Sequence, residues 1–110
     1  MLTSPPGPQD EAKYAEAAEL LKSLGHPLRL KIVCGLLVGS CTQTRIASCL
    51  GVPQSSIAQH LAVLRRAGTV EGRRAGNEVL LSVADARVAE ILRLLCAGAP
   101  PCVDFSGGER

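Results

Sequence analysis

Residues 42–64 read TQTRIASCLGVPQSSIAQHLAVL. Two short helical patterns meet in this stretch at a Gly51-Val52-Pro53 break. The first spans about Thr42 to Leu50 and is anchored by Ile46 and Leu50. The second opens at Pro53, runs to about Ala67 and ends at Gly68, with Ile57, Leu61 and Leu64 as its apolar stripe. At about 100° per residue, Ser55, Gln59, Ala62 and Arg66 fall on the opposite face, and His60 falls nearer the stripe. Pro53 has no capping side chain and is expected to act through its fixed φ. Helix, short glycine turn, helix is the pattern of a helix-turn-helix.

Beyond Gly68 the period changes from 3.6 to 2. Thr69–Arg74 and Glu78–Val83 read as two strands around the turn Ala75-Gly76-Asn77. Val79, Leu81 and Val83 are expected to face the core, with Arg73 and Arg74 at the tip. A helix-turn-helix followed by an arginine-tipped hairpin is a winged helix, and the combination is far more specific than either part.

Before residue 42 two more helices are expected. The first starts near Asp10, shows a stripe of Tyr14, Ala17, Ala18, Leu21 and Leu24, and stops at Gly25. Pro27 suits the first turn of the second. Leu28, Leu30, Ile32, Val33, Leu36 and Leu37 make that helix apolar nearly all round, which predicts a central buried position. After the hairpin, Asp85 is an N-cap for a last helix from Ala86 to about Cys96, striped by Val88, Ile91, Leu92 and Leu95. The expected fold is mainly α with a small β-hairpin, in the order ααααββα. Residues 1–9 are expected to be a disordered arm, 10–96 the winged-helix DNA-binding domain and 97–110 a flexible tail. The first and last helices each carry an apolar stripe that so small a domain does not readily cover. Pairing with a second copy would bury both, so a homodimer through these helices is expected.

The 110 residues suit one domain, and 46% are apolar. With one Tyr, one Phe and no Trp, the core must be aliphatic. No apolar run approaches the ~20 residues needed to cross a membrane, and the start MLTSPPGPQDE lacks a signal-peptide pattern. A cytoplasmic protein with reduced thiols is therefore expected. The formal net charge is +2, unevenly spread. Residues 41–77 hold Arg45, Arg65, Arg66, Arg73 and Arg74 against a single acid, Glu71, whereas residues 78–110 are net acidic. A basic middle between neutral and acidic flanks is the footprint of a phosphate-facing surface.

Ser55, Gln59, Ala62 and Arg66 are accordingly expected to line a major groove of double-stranded DNA, with Gln54, Ser56 and His60 at the edges. Gln pairs bidentately with adenine, and a small Ala allows close approach. Arg45, Arg65, Arg73 and Arg74, with Asn77 at the hairpin turn, are expected to meet phosphate or enter the minor groove. The alternative is a winged-helix module that uses the same surface for a protein partner. The arginine placement argues against it. No Ser/His/Asp or Cys/His constellation supports an enzyme.

The residues LLKSLGHPLRLKIV and VPQSSIAQHLAVLRRAGTV, taken with the element order, resemble the ArsR/SmtB family of metal- and thiol-responsive bacterial repressors. The resemblance spans about residues 14–96. Its most specific pieces are Leu24-Gly25-His26-Pro27-x-Arg29-Leu30, Gln54-Ser55, and His60-Leu61-x-x-Leu64-Arg65-x-Ala67-Gly68. It implies a dimeric winged-helix repressor that leaves a near-palindromic operator when an inducer binds. The departures bear on the inducer. Thr42 and Thr44 stand where many members carry a Cys-x-Cys metal motif, and hydroxyls replace thiolates poorly for soft metals. Zinc-sensing members use Asp-x-His and a downstream His-x-x-Glu on the last helix, where this chain has Asp85-x-Arg87 and no later histidine.

No cofactor is required on this reading, but the five cysteines, Cys34, Cys41, Cys49, Cys96 and Cys102, offer an inducer site. Cys49 reads as packing. Cys41 stands near a helix start, where a thiolate is favoured. Cys34 and Cys96 together resemble the persulfide-sensing branch of the family, in which thiols on the second and last helices are bridged by sulfur atoms. A rival site for As(III) or Sb(III) uses Cys96 and Cys102 with a third thiol from Cys34 or Cys41. A third reading makes all five structural, leaving a regulator without inducer sensing.

Overall fold

The computed structural model describes residues 7–95. It orders them as α1 (Glu11–Ser23), α2 (Pro27–Val38), α3 (Gln43–Leu50), α4 (Gln54–Arg66), β1 (Val70–Ala75), β2 (Glu78–Val83) and α5 (Ala86–Leu95). This is the expected order. Cys96, Cys102, residues 1–6 of the expected arm and the expected tail lie outside the described residues.

The core is aliphatic. Ile32 and Val33 of α2, Ile46 of α3, Ile57 and Leu64 of α4 and Val88 of α5 are fully enclosed. Burying each such side chain contributes about 1.5–3 kcal/mol. Helix α2 is central, packing against α4 and β2, as its all-round apolar pattern predicts. Its N-cap is His26, whose Nδ1 accepts the Leu28 N–H at 3.1 Å, and Pro27 fills the first helical position.

The helix-turn-helix closes through local chemistry. Thr42 caps α3 by accepting the Arg45 N–H at 3.2 Å. Gly51 sits at φ +66°, a left-handed conformation that ends α3 without a Cβ penalty. Pro53, at φ −57° and ψ 146°, gives α4 no side-chain cap and presets its entry direction.

The β1–β2 hairpin is antiparallel, with Val70 opposite Val83, Gly72 opposite Leu81 and Arg74 opposite Val79. Gly76, at φ +66°, makes its turn. Cys41 adds a short bridge to the sheet, exchanging both backbone hydrogen bonds with Leu81 at 3.1 and 2.7 Å. At the far end Asp85 caps α5 through the Arg87 N–H at 2.8 Å.

The single chain covers the α1 and α5 stripes only in part, as expected, and one expectation about the hairpin is corrected. In α1 the buried apolar residue is Leu20, with Leu24 just beyond the helix, while Tyr14 and Leu21 are 46% and 56% exposed. Only one edge of the stripe meets the body of the domain. In α5, Val88 and Leu92 are buried and Leu95 is 69% exposed. In the hairpin, Val79, Leu81 and Val83 share a face; Leu81 is buried and Val83 packs half-buried against the core as expected, but Val79 is exposed. The wing projects from the domain, and Val79 goes out with it.

Candidate nucleic-acid interface

Helix α4 presents two faces. Ile57, Leu61 and Leu64 are buried, and Ser55, Gln59, Ala62 and Arg66 are exposed together on the other side, with Gln54, Ala58 and Arg65 flanking them. Short and polar side chains on the exposed face leave room for a base edge to approach. Gln43 of α3 donates from Nε2 to the carbonyl and the side-chain oxygen of Gln54, both at 3.4 Å. This contact fixes the start of α4 against α3. Sequence reading overlooked Gln43, which carries no pattern of its own.

The hairpin stands beside that face. Arg73, Arg74 and Asn77 are all exposed. Arg74 lies on the same side of the hairpin as Gly72 and Val79, and Arg73 lies on the other. Gly72 is the close-approach point between wing and helix. A Cβ there would come within 2.8 Å of Val79 Cγ1 and 3.2 Å of a terminal guanidinium nitrogen of Arg65. Arg65, expected on phosphate, thus also rests against the wing. Gln43, Ala58, Ala62, Arg65 and Val79 line the shallow groove between α4 and the hairpin.

Other expected contact residues are less open. Arg45 and Ser56 are half-buried. His60 is half-buried and turned toward α2, with its Nδ1 3.3 Å from a terminal nitrogen of Arg29. Burial, with His26 and Arg29 adding to it, holds the His60 pKa below the ordinary imidazole value.

The thiols divide. Cys34 and Cys49 are half-buried and Cys41 is buried, all three reduced. Burial pushes the Cys41 thiol pKa up, outweighing the Thr42 backbone hydrogen bond and the Arg45 charge that pull it down. The bridge to Leu81 is what carries Cys41 inward.

Among the described residues no group of three or more His, Cys, Asp or Glu side chains could hold a metal ion. The position where zinc-sensing relatives place Asp-x-His is committed otherwise. Asp85 grips Arg87 at 2.7 and 3.0 Å, and Arg87 reaches Glu16 of α1 at 3.2 Å. A guanidinium fills the place of a metal ligand, so the residues present do not fit zinc there.

A helix-turn-helix whose second helix bares a polar face beside an arginine-tipped hairpin defines a winged-helix transcriptional regulator. Residues 26–71 match the family of bacterial regulatory proteins called the arsR family. The chain is 35% identical over 85 residues to the biofilm growth-associated repressor of Xylella fastidiosa, covering 77% of this chain and 75% of that protein. HlyU from Vibrio cholerae superposes with a TM-score of 0.72 at 35% identity, over 77% of this chain and 92% of that one. The homodimeric winged helix-turn-helix DNA-binding domain of a possible ArsR-family regulator from Mycobacterium bovis gives a TM-score of 0.74 at 26% identity, over 84% and 86%. The chain belongs to the ArsR/SmtB family and is a transcriptional repressor of that family, not an enzyme.

Proposed function

We propose that this repressor acts in the cytoplasm as a homodimer that reads a near-palindromic operator with α4 and is released by chemistry at its cysteine thiols. The observation that carries the DNA-reading part is the exposure of Ser55, Gln59, Ala62 and Arg66 on one face of α4 beside Arg73 and Arg74. The solvent-facing apolar residues support the dimer. Tyr14 and Leu21 on α1 and Leu94 and Leu95 on α5 are all open in the single chain. A second copy covering both helices would remove that surface from water. Two α4 helices about 34 Å apart then match successive major grooves. Among the described residues no helix is long and apolar enough to cross a membrane.

For the inducer, the resemblance to the persulfide-sensing branch points to Cys34. It is half-buried on α2, the helix that packs directly on α4. Bridging Cys34 to Cys96 would remove two protons and two electrons, taken up by a persulfide or other oxidant, and tie α2 to the end of α5. A shift of α5 would alter the dimer and the spacing of the two α4 helices. Capture of As(III) or Sb(III) by Cys96 and Cys102 with Cys34 is the second reading. The raised pKa and burial of Cys41 disfavour it as the third thiolate.

The deciding experiment measures DNA binding by the reduced protein with arsenite, antimonite, zinc and an organic persulfide in separate arms, then repeats it with Cys34→Ser and Cys96→Ser. Release by persulfide that both variants abolish supports the bridge. Release by arsenite or antimonite alone supports the three-thiolate site. No release in any arm makes the cysteines structural.

A further inference from the structure

The end of α1, the start of α2 and the middle of α4 meet at three side chains that DNA reading and thiol chemistry leave unused. Arg29 donates from Nε to the Ser23 carbonyl at 2.6 Å and from a terminal nitrogen to the Lys22 carbonyl at 3.5 Å. Its other terminal nitrogen lies 3.3 Å from Nδ1 of His60. A guanidinium carries donors and no acceptor. Nδ1 of His60 must therefore be the acceptor, which makes that imidazole neutral with its proton on Nε2. Nδ1 of His26 accepts the Leu28 N–H at 3.1 Å. The two rings lie 4.5 Å apart, centroid to centroid, tilted by 48°.

We infer that Arg29, His26 and His60 position the DNA-reading helix, and that they hold it only while the His60 imidazole is neutral, so that operator affinity falls on mild acidification. Protonating Nδ1 of His60 would set an N–H against an N–H of Arg29 and a positive charge beside the guanidinium.

The surroundings do not offset that charge. The groups acting on the His60 ring are His26 and Arg29, both cationic when charged. From α1 the contacts to Arg29 are the Lys22 and Ser23 carbonyls. The adjoining groove is lined by Glu19, Lys22, Arg29 and Arg66, one acid among three bases. The depressed His60 pKa agrees with this balance. A pKa lowered below the ordinary ~6.5 leaves the seat of α4 intact above that pH and loses it as pH falls through the lowered value.

This inference rests on α4 being the DNA reader, and the sign of the effect separates the two ideas. An imidazolium touching phosphate would tighten binding at low pH, as would the general gain of positive charge. The test is the operator affinity of the full chain by fluorescence anisotropy, at constant ionic strength, near pH 8 and near pH 5.5. Wild type is expected to bind roughly three- to tenfold more weakly at the lower pH. His60→Asn and His60→Gln, which keep an acceptor toward Arg29, are each expected to shrink that ratio. The ratio is taken within each protein, so a changed starting affinity does not blur it, and either variant alone suffices if the other fails to fold. Affinity that rises on acidification, or a ratio that both variants leave unchanged, overturns the inference while leaving DNA reading intact. Absence of sequence-specific binding near pH 8 overturns both.

Discussion

The hydroxyl of Ser23, at the end of α1, lies 2.7 Å from that of Thr69, at the base of the wing, and both residues are buried. Ser23 spends its one hydrogen on the Leu20 carbonyl at 2.7 Å, so Thr69 donates to Ser23. The Thr69 backbone also bonds Leu64 at the end of α4 and Ala84 just past β2, each at 2.9 Å. Helix α1, the reading helix and both ends of the hairpin converge on this pair.

The direction of that hydrogen bond makes the two truncations unequal. Ser23→Ala strands the Thr69 donor in the core and should cost about 1–3 kcal/mol. Thr69→Val leaves the Ser23 donor satisfied and should cost less, and the double variant should recover part of the Ser23→Ala loss. Urea unfolding of the four proteins checks the order.

Gly72 should tolerate nothing larger. In Gly72→Ala the new methyl would stand 2.8 Å from Val79 Cγ1 and 3.2 Å from the Arg65 guanidinium. Overpacking of this kind costs about 1–3 kcal/mol. The wing should swing away from α4, weakening DNA binding together with stability. Adding Val79→Ala should restore both, as read by thermal unfolding and gel shift.

Arg73→Ala with Arg74→Ala should weaken binding to every DNA sequence alike. The slope of log affinity against log salt should flatten by about 0.9 for each phosphate that is no longer neutralised. Salt titrations on operator and scrambled DNA measure both effects. An unchanged slope would remove the wing from the interface.

Asp85 should contribute a pH-dependent part of the stability. The Arg87 guanidinium holds its carboxyl below the usual carboxylate value. Its contribution is therefore complete above about pH 4 and lost as pH falls through the depressed folded value. Asp85→Ala should cost about 1 kcal/mol near neutrality. The gap to wild type should close in strongly acidic denaturation series.

What the sequence revealed, and what it hid, follows from the range of the forces involved. Turn and cap chemistry is local, so Gly51, Pro53, Gly76 and Asp85 were readable one residue at a time. Periodicity found the α4 faces because its apolar and polar residues segregate cleanly. In α1 periodicity marked Leu21, whereas the single chain buries Leu20. A stripe wide enough to include both cannot say which edge meets its own domain and which stays open. The burial of Cys41 left no sign in the sequence because its place depends on the Leu81 backbone, forty positions on. Ser23 with Thr69, and Arg29 with His60, pair across 46 and 31 residues and leave no local pattern.

The central claim is that the exposed face of α4 reads sequence while the wing and flanking arginines supply general affinity. Its most direct measurement compares wild type with Ser55→Ala/Gln59→Ala on a selected operator and on scrambled DNA of equal length, at one fixed salt concentration. A reading helix predicts that the double variant loses about 1–3 kcal/mol of discrimination for each bidentate base pairing removed, with little change on scrambled DNA. Equal operator preference in both proteins would contradict it.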